Sequence, residues 1–351
     1  MTLKKRRIIF LFCGIFFLVL APILLFYSLG YRLDKNFRIG RTGGLYVSSP
    51  VSGSEIFVKN KQEKKTNILQ NGLFLQNLKT GIYPILITKD GYWPWLKNLE
   101  IKEGLVTETR AILVSKNPAG EMILKGNFSA IWASPNDNIL LLEENKAGGV
   151  YATFYLPDTK TFLTSASPET AKLLSFKSGI SKTFWGNETI LLKGEKNVIR
   201  AAFDFSRQTV KASLEPIDDF SIDHKKEKLT LRKKERLWQD DKVNAIWLEW
   251  LADKESIPYY LCDIKPCENT SYLISNFRFP IKNADFFPGR RDVVLAATYN
   301  SVFTLEIDNR GGRLSFPIYK GKEPTFAVFP NEQKVYIIDD GAFFVVSLEE
   351  K

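Results

Sequence analysis

One long apolar segment stands near the N-terminus of the chain. The residues from Ile8 to Tyr31 carry no charge and show no polar face, and they follow the basic run from Lys4 to Arg7. About 20 apolar residues are enough for a helix to cross the roughly 30 Å hydrocarbon core of a bilayer. A helix in a soluble core would keep one polar face. The pattern predicts a basic stub at residues 1–7 and a transmembrane helix that meets the lipid bilayer through residues 8–31.

A cleaved signal peptide is the alternative for this segment. Signal peptides have apolar regions of about 7–15 residues, which is shorter than this run, although Ser28-Leu29-Gly30 resembles a small-x-small cleavage site. Basic residues flank the segment on both sides, so their count alone does not set the orientation. A short basic stub, one span and a large C-terminal body are typical of a signal anchor. We therefore expect a single-pass cell-membrane protein with a cytoplasmic N-terminus and an extracytoplasmic body.

The hydrophobic pattern changes to a period of two after a linker at residues 32–42. Between residues 43 and 116, short alternating runs are bounded by Gly, Pro, Asn and Asp, which is typical of strands. Such a set of short strands predicts a small antiparallel β-sandwich. The charged stretch from Lys59 to Lys65 predicts a solvated hairpin turn. The predicted strands are Leu45–Val47, Glu55–Val58, Leu73–Leu75, Tyr83–Ile87, Leu99–Ile101 and Thr107–Val114.

Three short motifs in this region follow one another at characteristic spacing. They are Ser49-Pro50, the Gly-x-Tyr of Gly81 to Tyr83, and Gly91-Tyr92. In this order they resemble the PEGA domain, a small β-sandwich common in bacterial and archaeal envelope proteins, over roughly residues 43–115. Asn60-Lys61 stands where the family usually has an Asp-Gly hairpin. The resemblance implies an envelope protein.

An irregular repeat begins beyond residue 120. Each unit has an apolar strand, a turn and a second apolar strand, and 42 residues separate Pro288 from Pro330. A period near 40 with four strands per unit is typical of β-propellers, and the turns resemble the Ser-Pro-Asp-Gly turns of TolB-like and WD-type propellers. The pattern predicts an irregular propeller of five or six blades over residues 120–351. The marking turns are Trp132–Asp137, Trp185–Glu188, Phe286–Arg290 and Val328–Glu332.

The last repeat unit, from Glu323 onward, has length for only three strands. An open sheet edge invites pairing with another chain, so a propeller has to close its ring. We therefore predict that Met122 to Lys125 supplies the fourth strand beside Phe343 to Leu348. The predicted fold class is an all-β exported region, with a PEGA-like β-sandwich followed by a five- or six-bladed β-propeller, behind one N-terminal transmembrane helix.

Charge and composition sharpen this picture. The chain has 351 residues with 49 Lys and Arg, 39 Asp and Glu, one His and three Cys, for a net charge of +10. Residues 1–41 hold eight basic residues and one acidic residue, so +7 of the charge flanks the apolar segment and +3 belongs to the rest. The charge therefore indicates a membrane surface, and no nucleic acid is expected as a partner. So few Cys and His leave no Cys/His zinc site, and no metal or cofactor is expected.

Residues that could carry catalysis are scarce. The paired carboxylates Asp218-Asp219, Asp240-Asp241 and Asp339-Asp340 stand in turn-like contexts, and neighbours on a strand point to opposite faces. His224 lies in a basic turn and is expected to be exposed. The basic segment from Lys225 to Arg236 is interpreted as a solvated blade edge, and the alternative is a surface that faces an anionic polymer or lipid headgroups. We therefore assign no catalytic residue.

Two groups of residues remain as candidates for a specific role. Cys262 and Cys267 are expected either to form a disulfide in an oxidising compartment or to be two buried thiols. Tyr92, Trp93 and Trp95 follow a turn and predict either core and edge packing or a platform on which sugars stack. The sequence thus favours a non-catalytic binding or structural module for cell-wall glycan or envelope proteins. The alternative is a hydrolase or lyase of envelope polymers, acting in the propeller funnel.

Overall fold

A computed structural model shows a chain built mainly of β-strands behind one long N-terminal helix. The chain divides into two compact units. The first comprises Met1–Leu113 with Asn309–Gly312, and the second comprises Val114–Asp308 with Arg313–Lys351. The structure describes residues 3–33, 39–67, 69–135, 138–216, 229–329 and 332–348.

Helix α1 spans Leu3–Ser28 and contains 26 residues, none of them buried. At 1.5 Å per residue it is roughly 39 Å long. Its length and composition are those of a membrane span, and an N-terminal signal sequence has the same properties. The predicted helix is therefore present, but it begins inside the basic stub and ends three residues before Tyr31.

A short antiparallel ribbon follows the helix at once. Strand β1 spans Tyr31–Leu33 and pairs with β2, Ile39–Arg41. Only Leu29 and Gly30 separate the helix from β1. The expected linker at residues 32–42 thus contains most of this ribbon.

Two sheets form the remainder of the first unit. The first sheet has the order β6-β3-β9, with β6 antiparallel and β9 parallel to β3, and the second is the antiparallel sheet β5-β4-β7-β8. Alternate residues on each sheet are fully buried, as at Leu45 in β3 and at Ile85 and Ile87 in β7, so each sheet contributes one face to the core. The strands are β3 Gly43–Ser48, β4 Glu55–Val58, β5 Lys61–Lys65, β6 Gly72–Leu78, β7 Gly81–Thr88, β8 Trp95–Ile101 and β9 Val106–Arg110.

Two details of this sandwich correct the sequence predictions. The charged stretch is mostly strand, because Lys61–Lys65 pairs with β4. The turn is confined to Lys59 and Asn60, whose φ angles are 50° and 64°. The parallel strand β9 also replaces the purely antiparallel arrangement that was expected.

The second unit consists of sheets of four or five strands, in which most strands lie beside their neighbours in the chain. In its described part there are five such blades, which is the arrangement of a β-propeller. Blade one contains β11 Phe128–Ala133, β12 Leu140–Lys146, β13 Gly149–Leu156, β14 Thr161–Phe162 and, beside β13, β16 Ser175–Phe176. Blade two contains β17 Lys182–Trp185, β18 Thr189–Lys193, β19 Val198–Asp204, β20 Thr209–Glu215 and, beside β20, β15 Thr164–Ser165. Helix α2, Pro168–Leu173, lies between β15 and β16 in the chain. Blades three and four contain β21 Leu229–Arg232, β22 Glu235–Asp240, β23 Ala245–Trp250, β24 Ser271–Asn276, β25 Asn283–Phe286, β26 Val293–Ala297, β27 Ser301–Glu306 and β28 Ser315–Lys320, with a 3₁₀ turn at Lys254–Ser256.

Blade five closes the ring with a strand from the start of the unit. Its order is β29 Thr325–Val328, β30 Lys334–Asp339, β31 Ala342–Ser347 and then β10 Gly120–Lys125. Met122 lies opposite Phe344, and Lys125 lies opposite Ala342. The predicted closing strand is therefore confirmed, with a register shift between Met122 and Leu124.

The predicted strand–turn–strand repeats correspond to the first hairpins of four blades. These are β11–β12, β17–β18, β25–β26 and β29–β30. Within the marking turns, Asn136, Asp137, Pro330 and Asn331 lie outside the described residues.

Candidate functional site

A group of charged side chains with little exposed surface spans blades three and four. The Arg232 guanidinium donates two hydrogen bonds to Glu235 Oε2, from Nε at 3.0 Å and from Nη2 at 2.8 Å. The Tyr260 hydroxyl donates to Glu235 Oε1 at 2.8 Å. The side chain of Glu235 is 3% exposed and that of Arg232 is 18% exposed. A tight turn between β21 and β22 brings Arg232 and Glu235 together, and both carboxylate oxygens of Glu235 are satisfied.

The same arginine also reaches blade four. Its Nη1 donates to the Arg290 carbonyl at 2.5 Å and its Nη2 donates to the Arg291 carbonyl at 2.9 Å. The guanidinium lies 3.9 Å from the centroid of the Phe286 ring. Arg290 in turn pairs with Asp292 through two hydrogen bonds, of 3.0 and 2.5 Å. We call Arg232, Glu235, Tyr260, Arg290 and Asp292 the charged cluster, and it joins the hairpin turns of two neighbouring blades.

A long connection between β23 and β24 brings Tyr260 to this cluster. The connection begins after Trp250, whose indole Nε1 donates to the Asp253 carbonyl at 3.1 Å. Trp250, Ile257 and Cys267 form a small buried core of their own. The structure joins Cys262 and Cys267 in a disulfide with a Cα–Cα distance of 6.1 Å. The disulfide therefore lies within the connection that anchors Tyr260.

Burial shifts the pKa of two groups in or beside the cluster. Burial and the neighbouring Glu235 carboxylate raise the pKa of Tyr260 far above its usual range, so this hydroxyl acts as a donor. Nearby on β25, burial raises the pKa of Asp285 to about 7, against the opposing effects of the Phe286 N–H bond and the Arg232 charge. The hydrogen bonds from Arg232 to the Arg290 and Arg291 carbonyls make the charged cluster a bridge between two blades.

Buried carboxylates also hold two other connections between blades. Asp339 accepts hydrogen bonds from the backbone N–H groups of Lys322 and Glu323 and from the Tyr319 hydroxyl. Glu143 accepts one from the Ile180 N–H, and burial raises its pKa. Carboxylate acceptors are therefore a repeated means of fixing one blade to the next.

The aromatic residues singled out from the sequence lie in and before β8 of the sandwich. Trp95 is fully buried, so its interpretation as a stacking residue is wrong: its ring packs in the core and offers no face to a ligand. Trp93 is 37% exposed. Tyr92 is half-buried, and the Lys89 ammonium lies 5.0 Å from its ring centroid. Of the three, only Trp93 and Tyr92 present surface to solvent.

A second aromatic group lies on the surface of the propeller. The rings of Phe279 and Tyr299 are 5.2 Å apart at an interplanar angle of 64°, and these residues are 48% and 49% exposed. Phe279 precedes β25 and Tyr299 lies in the β26–β27 turn, so the two are at the same end of blade four. Polar groups flank them, since the Ser301 hydroxyl donates to Asn300 Oδ1 at 3.2 Å. We call Phe279 and Tyr299 the surface aromatic pair.

Several other sequence-based interpretations can be located. The basic segment is not simply a solvated edge, because Arg232 within it is only 18% exposed and pairs with the buried Glu235. Asp240 Oδ1 accepts the Lys242 N–H at 3.0 Å, as a turn residue would. Asp218, Asp219, His224 and residues 225–228 lie outside the described residues. Among the residues that the structure describes, no group of three or more His, Cys, Asp and Glu side chains is arranged to hold a metal ion.

Comparison with known proteins assigns no family to the chain. No family model and no curated protein sequence matches the chain. The chain is similar to Kluyveromyces lactis Hsv2 at 8% identity and a TM-score of 0.25, covering 76% of this chain and 72% of that one. It is also similar to a chain of the mitotic checkpoint complex (6% identity, TM-score 0.36, covering 78% and 85%) and to TolB from Acinetobacter baumannii (11% identity, TM-score 0.28, covering 76% and 60%). Similarities this weak assign no family, and the propeller assignment rests on the order of the strands.

Proposed function

We propose that the chain is a membrane-anchored binding module of the cell envelope. In this proposal α1 spans the membrane with a cytoplasmic N-terminus, the PEGA-like sandwich at residues 43–116 follows it, and the propeller at residues 120–351 engages an extracytoplasmic glycan or protein. The exposed apolar helix supports the anchor, and its position ahead of a large body supports the orientation.

The surface aromatic pair is the observation that carries the binding role. Large aromatic side chains are the usual anchors of interfaces, because they supply much contact area at little cost in conformational entropy. Phe279 and Tyr299 each keep about half of their surface in water. The neighbouring Asn300 and Ser301 add hydrogen-bonding groups of the kind that recognise sugar hydroxyls or peptide groups.

The charged cluster supports binding over catalysis. A general acid or base needs a pKa matched to its task and a free position for substrate. Glu235 and Asp292 are each held by two hydrogen bonds from an arginine. Each of these pairs lies within one blade, and Arg232 also joins blade three to the Arg290 and Arg291 carbonyls of blade four, so the contacts of the cluster are used within the propeller itself.

The orientation is tested with the full-length chain in cells. Leu69 is 93% exposed, and a Leu69→Cys substitution in a Cys13→Ser background provides an accessible thiol. A membrane-impermeant maleimide should label this thiol in intact cells. Labelling only after the membrane is permeabilised would show that the body is cytoplasmic.

The binding role is tested with full-length protein in lipid nanodiscs. Co-sedimentation with purified cell-wall glycan measures one partner class, and a photo-crosslinking residue at a position next to the pair, in living cells, measures the other. The double variant Phe279→Ala/Tyr299→Ala should weaken glycan binding, or reduce crosslinking from a neighbouring position, at least tenfold. The matched control Phe205→Ala removes another exposed ring, 36% exposed, and should have no effect. Equal binding by both variants would refute this role for the pair.

A further inference from the structure

The C-terminal end of α1 is fastened to the sandwich by short hydrogen bonds. The Gly30 carbonyl accepts both the N–H and the hydroxyl of Thr42, each at 2.9 Å. The Thr42 carbonyl accepts the Gly104 N–H at 3.0 Å. Two residues of linker span at most about 7 Å, so the sandwich begins where the helix ends.

Arg32 makes a second connection at the same place. Its Nη1 donates to the Tyr27 carbonyl in the last turn of α1 at 2.6 Å, and its Nη2 donates to Asn77 Oδ1 at the end of β6 at 2.6 Å. Its guanidinium lies 3.6 Å from the centroid of the Tyr27 ring. A cation at a helix C-terminus neutralises the unsatisfied carbonyls there. The helix end and the sandwich are thus held in one arrangement.

Exposed apolar side chains surround this junction. Ile82 lies at the start of β7, next to the Gly81–Ile101 pair, and Leu105 and Val106 follow the turn after β8. Ile39 begins β2, which pairs with β1 directly after the helix. We call these residues, with Leu29, the apolar collar: Leu29 is 49% exposed, Ile39 69%, Ile82 68%, Leu105 54% and Val106 54%.

Isolated apolar residues on a protein surface need no explanation, but a group from several separate segments at one end does. The collar is continuous with a fully exposed apolar helix. Tyr27 lies in the last turn of α1 and Tyr31 begins β1, and aromatic residues at the ends of membrane helices are enriched at the level of the lipid headgroups. The Arg41 guanidinium lies 5.5 Å from the Tyr31 ring centroid, so cationic groups that suit anionic phosphates stand beside the apolar residues.

We propose that this end of the sandwich docks on the membrane, with the apolar collar inserted at the boundary between headgroups and acyl chains of the leaflet where α1 emerges. This inference rests on the proposed anchoring role of α1. Docking fixes the orientation of the sandwich relative to the membrane, because the sandwich is attached both through α1 and through the apolar collar. The turn with Tyr92 and Trp93, at the opposite end of β8 from Ile101, is then directed away from the lipid.

Fluorescence quenching in nanodiscs tests the depth of each residue. Single cysteines replace Leu18, Ile39, Leu69 or Leu105 in full-length Cys13→Ser protein and carry an environment-sensitive NBD group. Nanodiscs contain phosphatidylcholine and phosphatidylglycerol with doxyl-labelled lipid. Labels at positions 39 and 105 should be quenched at least threefold more strongly than the label at position 69, which lies on the far loop of the same sandwich, between β5 and β6. The label at position 18 reports on insertion of α1.

The outcomes separate the two proposals. Quenching at position 18 with positions 39 and 105 equal to 69 overturns the docking and leaves the anchor intact. No quenching at position 18 overturns both. As a further check, Leu105→Asp should lower quenching at position 39 to the level at position 69, whereas the matched control Leu69→Asp should leave it unchanged. Because both substituted residues are exposed, neither change disturbs the core.

Discussion

The sandwich and the propeller bury different kinds of polar side chains. In the described part of the sandwich the buried polar residues are hydroxyls, at Ser49, Ser54, Thr66, Thr107 and Thr109, apart from Lys97. In the propeller, carboxylates are prominent among them, including Glu143, Glu235, Asp292 and Asp339. A hydroxyl can tie a turn to its own neighbours, whereas a carboxylate accepts several strong hydrogen bonds at once. In the propeller, Glu143 and Asp339 use this capacity to hold the connections between successive blades, while the hydroxyls of Ser49, Ser54 and Thr66 fix one local turn of the sandwich.

The largest effect on stability is expected where the last blade packs against the first. Phe343 in β31 is fully buried, and its ring lies 5.2 Å from that of Tyr155 in blade one. Phe343→Ala should lower the free energy of unfolding of the propeller by about 4 kcal/mol through lost burial and a cavity. Chemical denaturation of the full chain measures this change. The exposed control Phe205→Ala should change stability little, and equal effects of both would show that the blades do not pack through this contact.

Removing one partner of the charged cluster comes next. Glu235→Gln leaves Arg232 buried without its counter-charge, which should destabilise the propeller by about 3 kcal/mol. The exposed pair of Lys322 and Asp340 is the control, with side chains 75% and 65% exposed. Asp340→Asn should be nearly neutral in the same denaturation assay. If the two variants behave alike, the cluster does not join the blades.

Asp285 gives the stability of the propeller a dependence on pH, because its carboxyl group has a raised pKa. Its folded-state pKa of about 7 lies above the unfolded value of about 3.9, so the folded chain binds the proton more tightly. Its contribution to stability is therefore full below about pH 4 and is lost as pH rises through about 7. Asp285→Asn should raise stability at pH 8 on the order of 2 kcal/mol, less than the full shift implies because the residue is only partly buried. Thermal unfolding at pH 4 and pH 8 measures this, and an equal effect at both would contradict the raised pKa.

The smallest effect on stability is expected at the hydrogen-bonded hydroxyls of Ser49 and Ser54 in the sandwich. Ser54 Oγ donates to the Val51 carbonyl at 2.7 Å and accepts from Ser49 Oγ at 3.0 Å. Ser54→Ala should cost about 1 kcal/mol, the usual net value of such a bond. Ser52→Ala in the same turn is the matched control for the denaturation measurement. A loss of 3 kcal/mol or more would mean that the two units do not differ in this way.

The sequence predicted those features that depend on local pattern. The closing strand followed from counting strands in the last repeat, and the hairpins from their turns and apolar runs. The strand Lys61–Lys65 was missed because charged residues on an exposed edge carry no alternation. The surface aromatic pair was missed because Phe279 and Tyr299 come from different loops, which only the tertiary fold brings together. Arg232 looked like a solvated residue because its partners in blade four are backbone carbonyls, which leave no sequence signal.

Hydrogen exchange of the full-length chain in lipid nanodiscs reports at once on the membrane helix and on the closure of the propeller. The account predicts that the amides of Gly120–Lys125 exchange as slowly as those of Ala342–Ser347, with which they pair, and that α1 is protected within the bilayer. Rapid exchange of Gly120–Lys125 beside a protected Ala342–Ser347 would contradict ring closure. Rapid exchange throughout Leu3–Ser28 would contradict the anchor.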